Sequence, residues 1–195
     1  MNGRCEWCGV DPVYVAYHDT EWGVPEWDSR ALWEKLVLDG FQAGLSWITI
    51  LKKRDNFRHA FAGFDPRTIA RWGEPDVERL LLNPGIIRHR GKIEATIGNA
   101  RAWCEIEERQ GFDRFLWDYV DGHPVQNAFA SGAEVPPQTP LSAKLSKDLK
   151  TAGFRFCGPT IVYAFMEAVG MVNDHITTCP RHGEVAQLAA PPSAI

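Results

Sequence analysis

Four residues near the two ends of the chain have the types and spacing to hold a metal. His175 and Cys179 are four residues apart, one helical turn, so a single ion can take both. Cys5 and His18 lie near the opposite end. Together they form a Cys2His2 set, a normal tetrahedral zinc complement. Four protein ligands leave no open position, so this site would be structural and would tie the N-terminal arm to the C-terminal end. Cys8 keeps an alternative open: Cys5-x-x-Cys8 is itself a zinc-like spacing, and Cys8 can stand in for His18. Unrelated thiols and a surface histidine are the plain alternative to both.

The stretch DGFQAGLSWITI, from Asp39 to Ile50, is the second place where chemistry concentrates. It brings together a carboxylate, Gly40, Gly44, a bare apolar tip at Leu45, and Trp47. A plain helix connection would be polar. The alternative is a buried corner between helices, with Leu45 and Trp47 in the core.

The elements that carry these residues read as helices. Asp28 caps a helix from about Ser29, with Leu32, Trp33, Leu36 and Val37 on one face. Gly40 and Gly44 then loosen the chain. Ser46 caps a second helix that opens on Trp47 and closes on Lys52, Lys53 and Arg54. Residues 1–27 show little helical period and read as an irregular arm or broken helix, with Pro12 at N1 after Asp11. Asp65-Pro66 and Glu74-Pro75 open short helices, and a long one spans about Arg90 to Gln110. Another covers Phe112 to Val120. Residues 121–140 contain four prolines and read as the longest loop. Two helices follow, Ser142–Ala152 and Pro159–Val169, stopped by Gly153 and Gly170. No strand is apparent, so the expected class is mostly α.

Composition excludes several classes. The 195 residues suffice for one domain, or one with two lobes, burying about two-thirds of the unfolded surface without disulfides. A hydrophobic fraction of 45% and charged fraction of 24% are those of a soluble globule. The net charge of −4 gives no global basic field, so a polyanion partner needs a local patch. No signal peptide and no apolar run of membrane-spanning length are visible, which implies a cytoplasmic protein with no membrane partner. Five cysteines, an odd number, favour thiols or metal ligands over a disulfide framework.

LSKDLKTAGFRFCGPTIVYAFMEAVG contains two amphipathic helices joined by the tight turn GFRFCGP. Gly158 before a helix leaves backbone N–H groups free to face an anion, and Pro159 at N1 costs no needed donor. Arg155 and Thr160 add a cation and a hydroxyl, as in a DNA phosphate clamp. A hairpin that merely turns the chain is the commoner reading of this pattern alone. The segment resembles the helix-hairpin-helix of the base-excision DNA glycosylase superfamily. VNDHI, residues 172–176, is similar to the VDTHI that follows the motif in endonuclease III-like members. Three features depart from that pattern. Phe156 takes the place of the hairpin's first glycine. The turn has no lysine of the kind used by β-lyases. Asn173 stands where the superfamily often has a catalytic Asp. The resemblance thus implies a monofunctional hydrolase.

Longer motifs narrow the resemblance. CEWCGVDPVYVAYHDTEWGVP, LDGFQAGLSWITILKKRDNFRHAF, GIIRHRGKI and GNARA closely resemble the DNA-3-methyladenine glycosylase I family, over about Cys5 to Cys179. That resemblance implies a helix-hairpin-helix glycosylase fold of two helical lobes, joined at its ends by one structural zinc. The zinc ligands would fall on Cys5, His18, His175 and Cys179, which favours His18 over Cys8. A single domain would span residues 1–185, with a disordered tail over 186–195. The implied substrate is double-stranded DNA with alkylated bases, from which a monomeric enzyme hydrolyses 3-methyladenine. Trp7, Tyr14, Tyr17, Asp39 and Trp47 would form the base pocket, with Asp39 and Tyr17 as catalytic residues. The family normally has Glu at the position of Asp39, which is one methylene shorter. Gly44 and Leu45 would fill the gap left by the flipped nucleotide. Arg155, Gly158 and Thr160 would hold DNA. Lys52, Lys53, Arg88, Arg90 and Lys92 are candidate further phosphate contacts, with a plain solvated charge as the alternative for each. Trp33, Trp72, Trp103 and Trp117 are expected in the core or on the surface.

Two other readings compete. A zinc deaminase needs an open three-ligand site and a His-x-Glu motif with Pro-Cys-x-x-Cys, whereas Cys179-Pro180 has the reverse order. A non-catalytic, zinc-stabilised DNA-binding module would share the fold and bind DNA without releasing a base.

Overall fold

The computed structural model describes residues 3–188. A short 3-10 turn at Glu6–Cys8 precedes α1, Pro12–Thr20, whose cap Asp11 accepts from Val13 N at 3.0 Å. The arm is therefore more regular than its sequence suggests, because Asp11-Pro12 starts a helix that the aromatic residues then anchor.

Helix α2, Ser29–Gln42, is capped by Asp28, which accepts from Ala31 N at 2.8 Å. It runs through Asp39 and Gly40 instead of ending there. Gly40 serves close packing: a Cβ would lie 3.2 Å from the Phe156 carbonyl oxygen. The break comes later, at Gly44, whose φ of +82° is the left-handed region glycine favours.

The helix expected from Ser46 is two helices, α3 (Trp47–Leu51) and α4 (Arg54–Ala60). Ser46 does not cap a backbone N–H; its hydroxyl pairs with that of Thr49 at 2.8 Å. Then come α5 (Pro66–Ile69), α6 (Glu74–Leu81), the long α7 (Arg90–Gln110) and α8 (Phe112–Trp117). After the proline-rich loop lie α9 (Pro140–Thr151), α10 (Pro159–Ala168) and α11 (Pro180–Ala186). Helix α10 packs on α9 and on α2, and α2 also meets α7, so α2 carries Asp39 into the centre of the molecule.

One small parallel pair, β1 (Val125–Gln126) with β2 (Val172–Asn173), was not expected. Two residues per strand carry no period, and their pairing is set by tertiary contacts. Trp33, Trp103 and Trp117 are buried and Trp72 half-buried, as expected. Among the described residues no helix is long and apolar enough to cross a membrane. Most of the tail expected to be disordered lies outside the described residues; Ala186 ends α11, and Gln187 and Leu188 form a turn.

Candidate active site and metal centre

Helix α1 presents Tyr14, Tyr17 and His18 at helical spacing, and this single face serves two clusters. Toward one side, Trp7, Tyr14, Tyr17, Asp39 and Trp47 line one cavity of about 160 Å3. The aromatic rings meet edge-on or tilted: Trp7 to Tyr14 at 5.0 Å between centroids, and Tyr17 to Trp47 at 5.5 Å. Trp7 is 36% exposed, whereas Tyr17 and Trp47 are buried, so the cavity has one open wall. It is not the largest depression: one of about 590 Å3 lies between α10 and residues 132–137 and shares Trp7 and Glu167 with it.

Asp39 is 1% exposed. Its Oδ1 accepts from the Lys35 ammonium, one turn earlier on α2. Its Oδ2 and the Trp47 indole N–H are both buried without a partner. Trp33 Nε1, Asn173 Oδ1 and Arg181 Nε are also buried without a partner, but of the five only the Asp39 and Trp47 atoms belong to residues that line this cavity. An unpaired buried polar atom typically costs about 1–3 kcal/mol. Burial pushes the Asp39 carboxyl up and the Lys35 ammonium down, while each partner's charge works the other way. Tyr17 is pushed well above its ordinary range, first by burial and then by the Asp39 charge, and so keeps its proton. Glu167, from α10, is pushed up to about 8 by burial and by Asp174 and Asp39.

Toward the other side of α1, Cys5, His18, His175 and Cys179 converge. Their ligand atoms all lie within 4.8 Å of one another, and all four residues are buried. Cys5 Sγ is 3.6 Å from His175 Nδ1, and Cys179 Sγ is 3.6 Å from His18 Nε2 and 3.7 Å from His175 Nδ1. Tetrahedral zinc with Zn–S of about 2.3 Å and Zn–N of about 2.0 Å sets S···N edges of about 3.5–3.6 Å. The spacing fits that ion. The other ring nitrogens are occupied: His18 Nδ1 by Asp19 at 2.8 Å, and His175 Nε2 by the Trp22 carbonyl at 3.0 Å. Without an ion, burial pushes the Cys5 thiol up to about 12. Cys8 turns away and donates to the Cys5 carbonyl at 3.1 Å. One His-x-Glu does occur, His182-Gly183-Glu184, the pattern a deaminase places at its metal. Here His182 bonds the Asn127 carbonyl at 2.7 Å and Glu184 pairs with Arg181, so neither joins the cluster.

The α9–α10 turn is rigidly held. Asn99 on α7 both accepts from Arg155 N at 2.8 Å and donates to the Arg155 carbonyl at 3.1 Å. Ser146 donates to the Cys157 carbonyl at 2.6 Å. Phe156 adopts φ +55°, the left-handed conformation that glycine would take more easily. A Cβ on Gly158 would meet nothing within 4 Å, so the chain's own packing does not demand glycine there. Arg155, Thr160, Gly44 and Leu45 are exposed, leaving the turn and the 44–45 tip accessible from outside.

The sequence pattern described as methyladenine glycosylase matches residues 7–182. The chain belongs to the methyladenine glycosylase family. It is 53% identical over 177 residues to DNA-3-methyladenine glycosylase 1 of Escherichia coli strain K12, covering 90% of this chain and 95% of that one. The Haemophilus influenzae DNA-3-methyladenine glycosylase is 47% identical over 181 residues, covering 92% and 98%. A crystal structure of 3-methyladenine DNA glycosylase I superposes with a TM-score of 0.89 at 58% identity, over 91% of this chain and 98% of that one.

Of the further phosphate contacts, several are engaged internally. Lys52 pairs with Asp11 at 2.6 Å, and Arg90 with Glu74 at 2.7 Å and with Glu78. Lys92 is buried and donates to the Phe41 and Ala43 carbonyls at 2.8 and 2.7 Å, bracing the loop before Leu45. Asn173 donates to Gln126 at 2.8 Å and to the His182 carbonyl at 3.0 Å, which makes it part of the β1–β2 brace. Sequence reasoning missed Trp22, Lys35 and Glu167. Lys35 had a visible signal, since it precedes Asp39 by four residues on one helix.

Proposed function

We propose that this chain hydrolyses the N-glycosidic bond of 3-methyladenine in alkylated double-stranded DNA, without cleaving the strand. The observation that carries this reading is the buried Asp39 carboxylate, with one unpaired oxygen, in a cavity walled by Trp7, Tyr14, Tyr17 and Trp47. A glycosylase must take its base out of the stack and hold it, at a cost of a few kcal/mol. A 3-methylated adenine in DNA is a cation, and aromatic faces attract cations by roughly 0.5–2 kcal/mol. A carboxylate accepts from the exocyclic amine and favours the positive charge. The same negative charge supports positive charge developing on the sugar as the bond breaks. The methylated purine departs neutral, so no general acid is needed; unmodified adenine would depart as an anion. Tyr17, which keeps its proton, orders the pocket wall against Asp39.

Leu45, on the exposed tip behind Gly44, fills the gap left by the flipped nucleotide, an apolar wedge of the kind used to unstack bases. Arg155, Gly158 and Thr160 receive the backbone phosphates in the manner of a helix-hairpin-helix. Cys5, His18, His175 and Cys179 hold one structural zinc, which supplies a closed cross-link and no reactive position. Related proteins support the reading: the Staphylococcus aureus 3-methyladenine DNA glycosylase I, 40% identical here with a TM-score of 0.89 over 92% of this chain and 96% of that one, is described for its recognition of 3-methyladenine.

The test is base release from methylated duplex DNA, with the products separated by chromatography. The reading expects free 3-methyladenine, with 7-methylguanine left in place. A folded, metal-loaded protein that binds DNA and releases neither base would be the DNA-binding module instead.

A further inference from the structure

Lys35 is a cation placed inside a pocket built for a cation. It pairs with Asp39, and its ammonium sits 3.9 Å from the centroid of the Trp47 ring. Its side chain is 15% exposed. The ammonium therefore already makes the two contacts, carboxylate and aromatic face, that a methylated purine would make. We propose that Lys35 is a specificity-determining residue, a resident cation that yields its place between Asp39 and Trp47 only to a base carrying its own positive charge. This rests on the base-pocket reading above.

The argument follows from charge. With the pocket empty, Lys35 neutralises a carboxylate that is otherwise buried and unpaired. A neutral base that pushed the ammonium aside would strand that carboxylate, which is unfavourable. A cationic base replaces one positive charge with another, so the carboxylate stays paired. Lys35 also has somewhere to go. It forms part of the wall of a second, adjacent depression, of about 290 Å3, which shares Tyr17, Lys35 and Ala168 with the base pocket. That depression is lined by the carboxylates of Glu21, Glu26 and Glu34 against the guanidiniums of Arg54 and Arg58, leaving one negative charge in excess. Glu21 pairs with Arg54 and Glu34 with Arg58, so the acceptors are already ordered. When the glycosidic bond breaks, the base becomes neutral, and return of the ammonium to Asp39 favours its departure. Lys35 thus acts twice: it selects a charged base on entry and displaces a neutral one on exit.

The experiment compares the unsubstituted protein with Lys35→Met, using tryptophan fluorescence and two probes, the permanent cation 3,9-dimethyladeninium and neutral 3-methyladenine. Lys35→Met is expected to tighten neutral 3-methyladenine by about ten-fold and to narrow the preference for the cation by a similar factor. Product inhibition should strengthen in parallel, so steady-state turnover falls further than the single-turnover rate on alkylated DNA. Lys35→Arg, which retains the charge, should keep the original preference. Lys35→Gln, which keeps a donor to Asp39 without the charge, gives the same readout if the Met variant does not fold. An unchanged preference in both neutral variants, with excision of 3-methyladenine intact in the unsubstituted protein, overturns the assignment to Lys35 alone. Failure of the unsubstituted protein to excise 3-methyladenine overturns the base-pocket reading, and this one with it.

Discussion

The proposed metal cluster and the proposed base pocket stand on either side of one residue, Trp22, and they treat the polar groups that line them in opposite ways. The Trp22 ring meets His175 at 4.5 Å on one side and Trp7 at 4.9 Å on the other. On the metal side every ring nitrogen outside the cluster has a partner, and all four donors point inward. On the pocket side a carboxylate oxygen and an indole N–H are buried and unpaired. The cluster's own histidine nitrogens are all satisfied, as suits a site that holds the molecule together, although Asn173 Oδ1 and Arg181 Nε nearby are buried without a partner. Polar groups left unpaired beside an open aromatic wall mark the part that waits for another molecule. The difference separates two sets of reactive-looking residues that composition alone would class together.

The comparison can be broken from its closed side first. Cys179→Ser would remove one of the four proposed ligands, and loss of a structural metal ranks among the large single-site effects. We expect a fall of about 3–5 kcal/mol, roughly 10 °C in Tm, read by thermal melting alongside metal content by mass spectrometry. A protein that loses its zinc and keeps its melting temperature would contradict the cross-link.

A smaller effect is expected where α7 braces the end of α2 and the loop that follows it. Lys92→Met strands the Phe41 and Ala43 carbonyls and loosens the loop that carries Leu45. We expect about 1–3 kcal/mol of destabilisation, measured by denaturant titration, with faster amide exchange over residues 41–45. Unchanged exchange there would show that Lys92 merely fills space.

A pH-dependent effect sharpens the pocket side. Glu167 faces Asp39 and Lys35 from α10 and Asp174 from the segment after it, and its folded pKa is raised to about 8 from an ordinary 4.5. A raised folded pKa means that its contribution to stability is fully present below about 4.5 and is lost as pH rises through about 8. The melting temperature should therefore decline across that window, and Glu167→Gln should flatten the decline. An equal slope in both proteins would remove Glu167 as its source.

Much of the fold was legible because its signals are local. Asp11-Pro12, Asp28 and Asp65-Pro66 start helices where their capping chemistry says they should. What was not legible depends on partners distant in sequence. Gly40 reads as a break until the Phe156 carbonyl is seen against it. Lys92 and Arg90 read as free cations until the Phe41 carbonyl and the Glu74 carboxylate appear beside them. The metal set was readable as residue types, and only folding shows Cys8 turned aside. At the pocket, the aromatics were found through family resemblance. Lys35 was missed although its spacing to Asp39 was in plain view, because a lysine on a helix usually reads as a solvated charge.

The most direct measurement is the single-turnover rate of 3-methyladenine release by Asp39→Asn, set against the unsubstituted protein at equal metal content. Asn keeps the size and removes the charge, and a lost electrostatic contact of this kind is worth about 10²–10³ in rate. The account predicts a loss of that order at a melting temperature changed by no more than a few degrees. A rate within about three-fold of the unsubstituted protein would contradict it, and would move the chemistry away from Asp39.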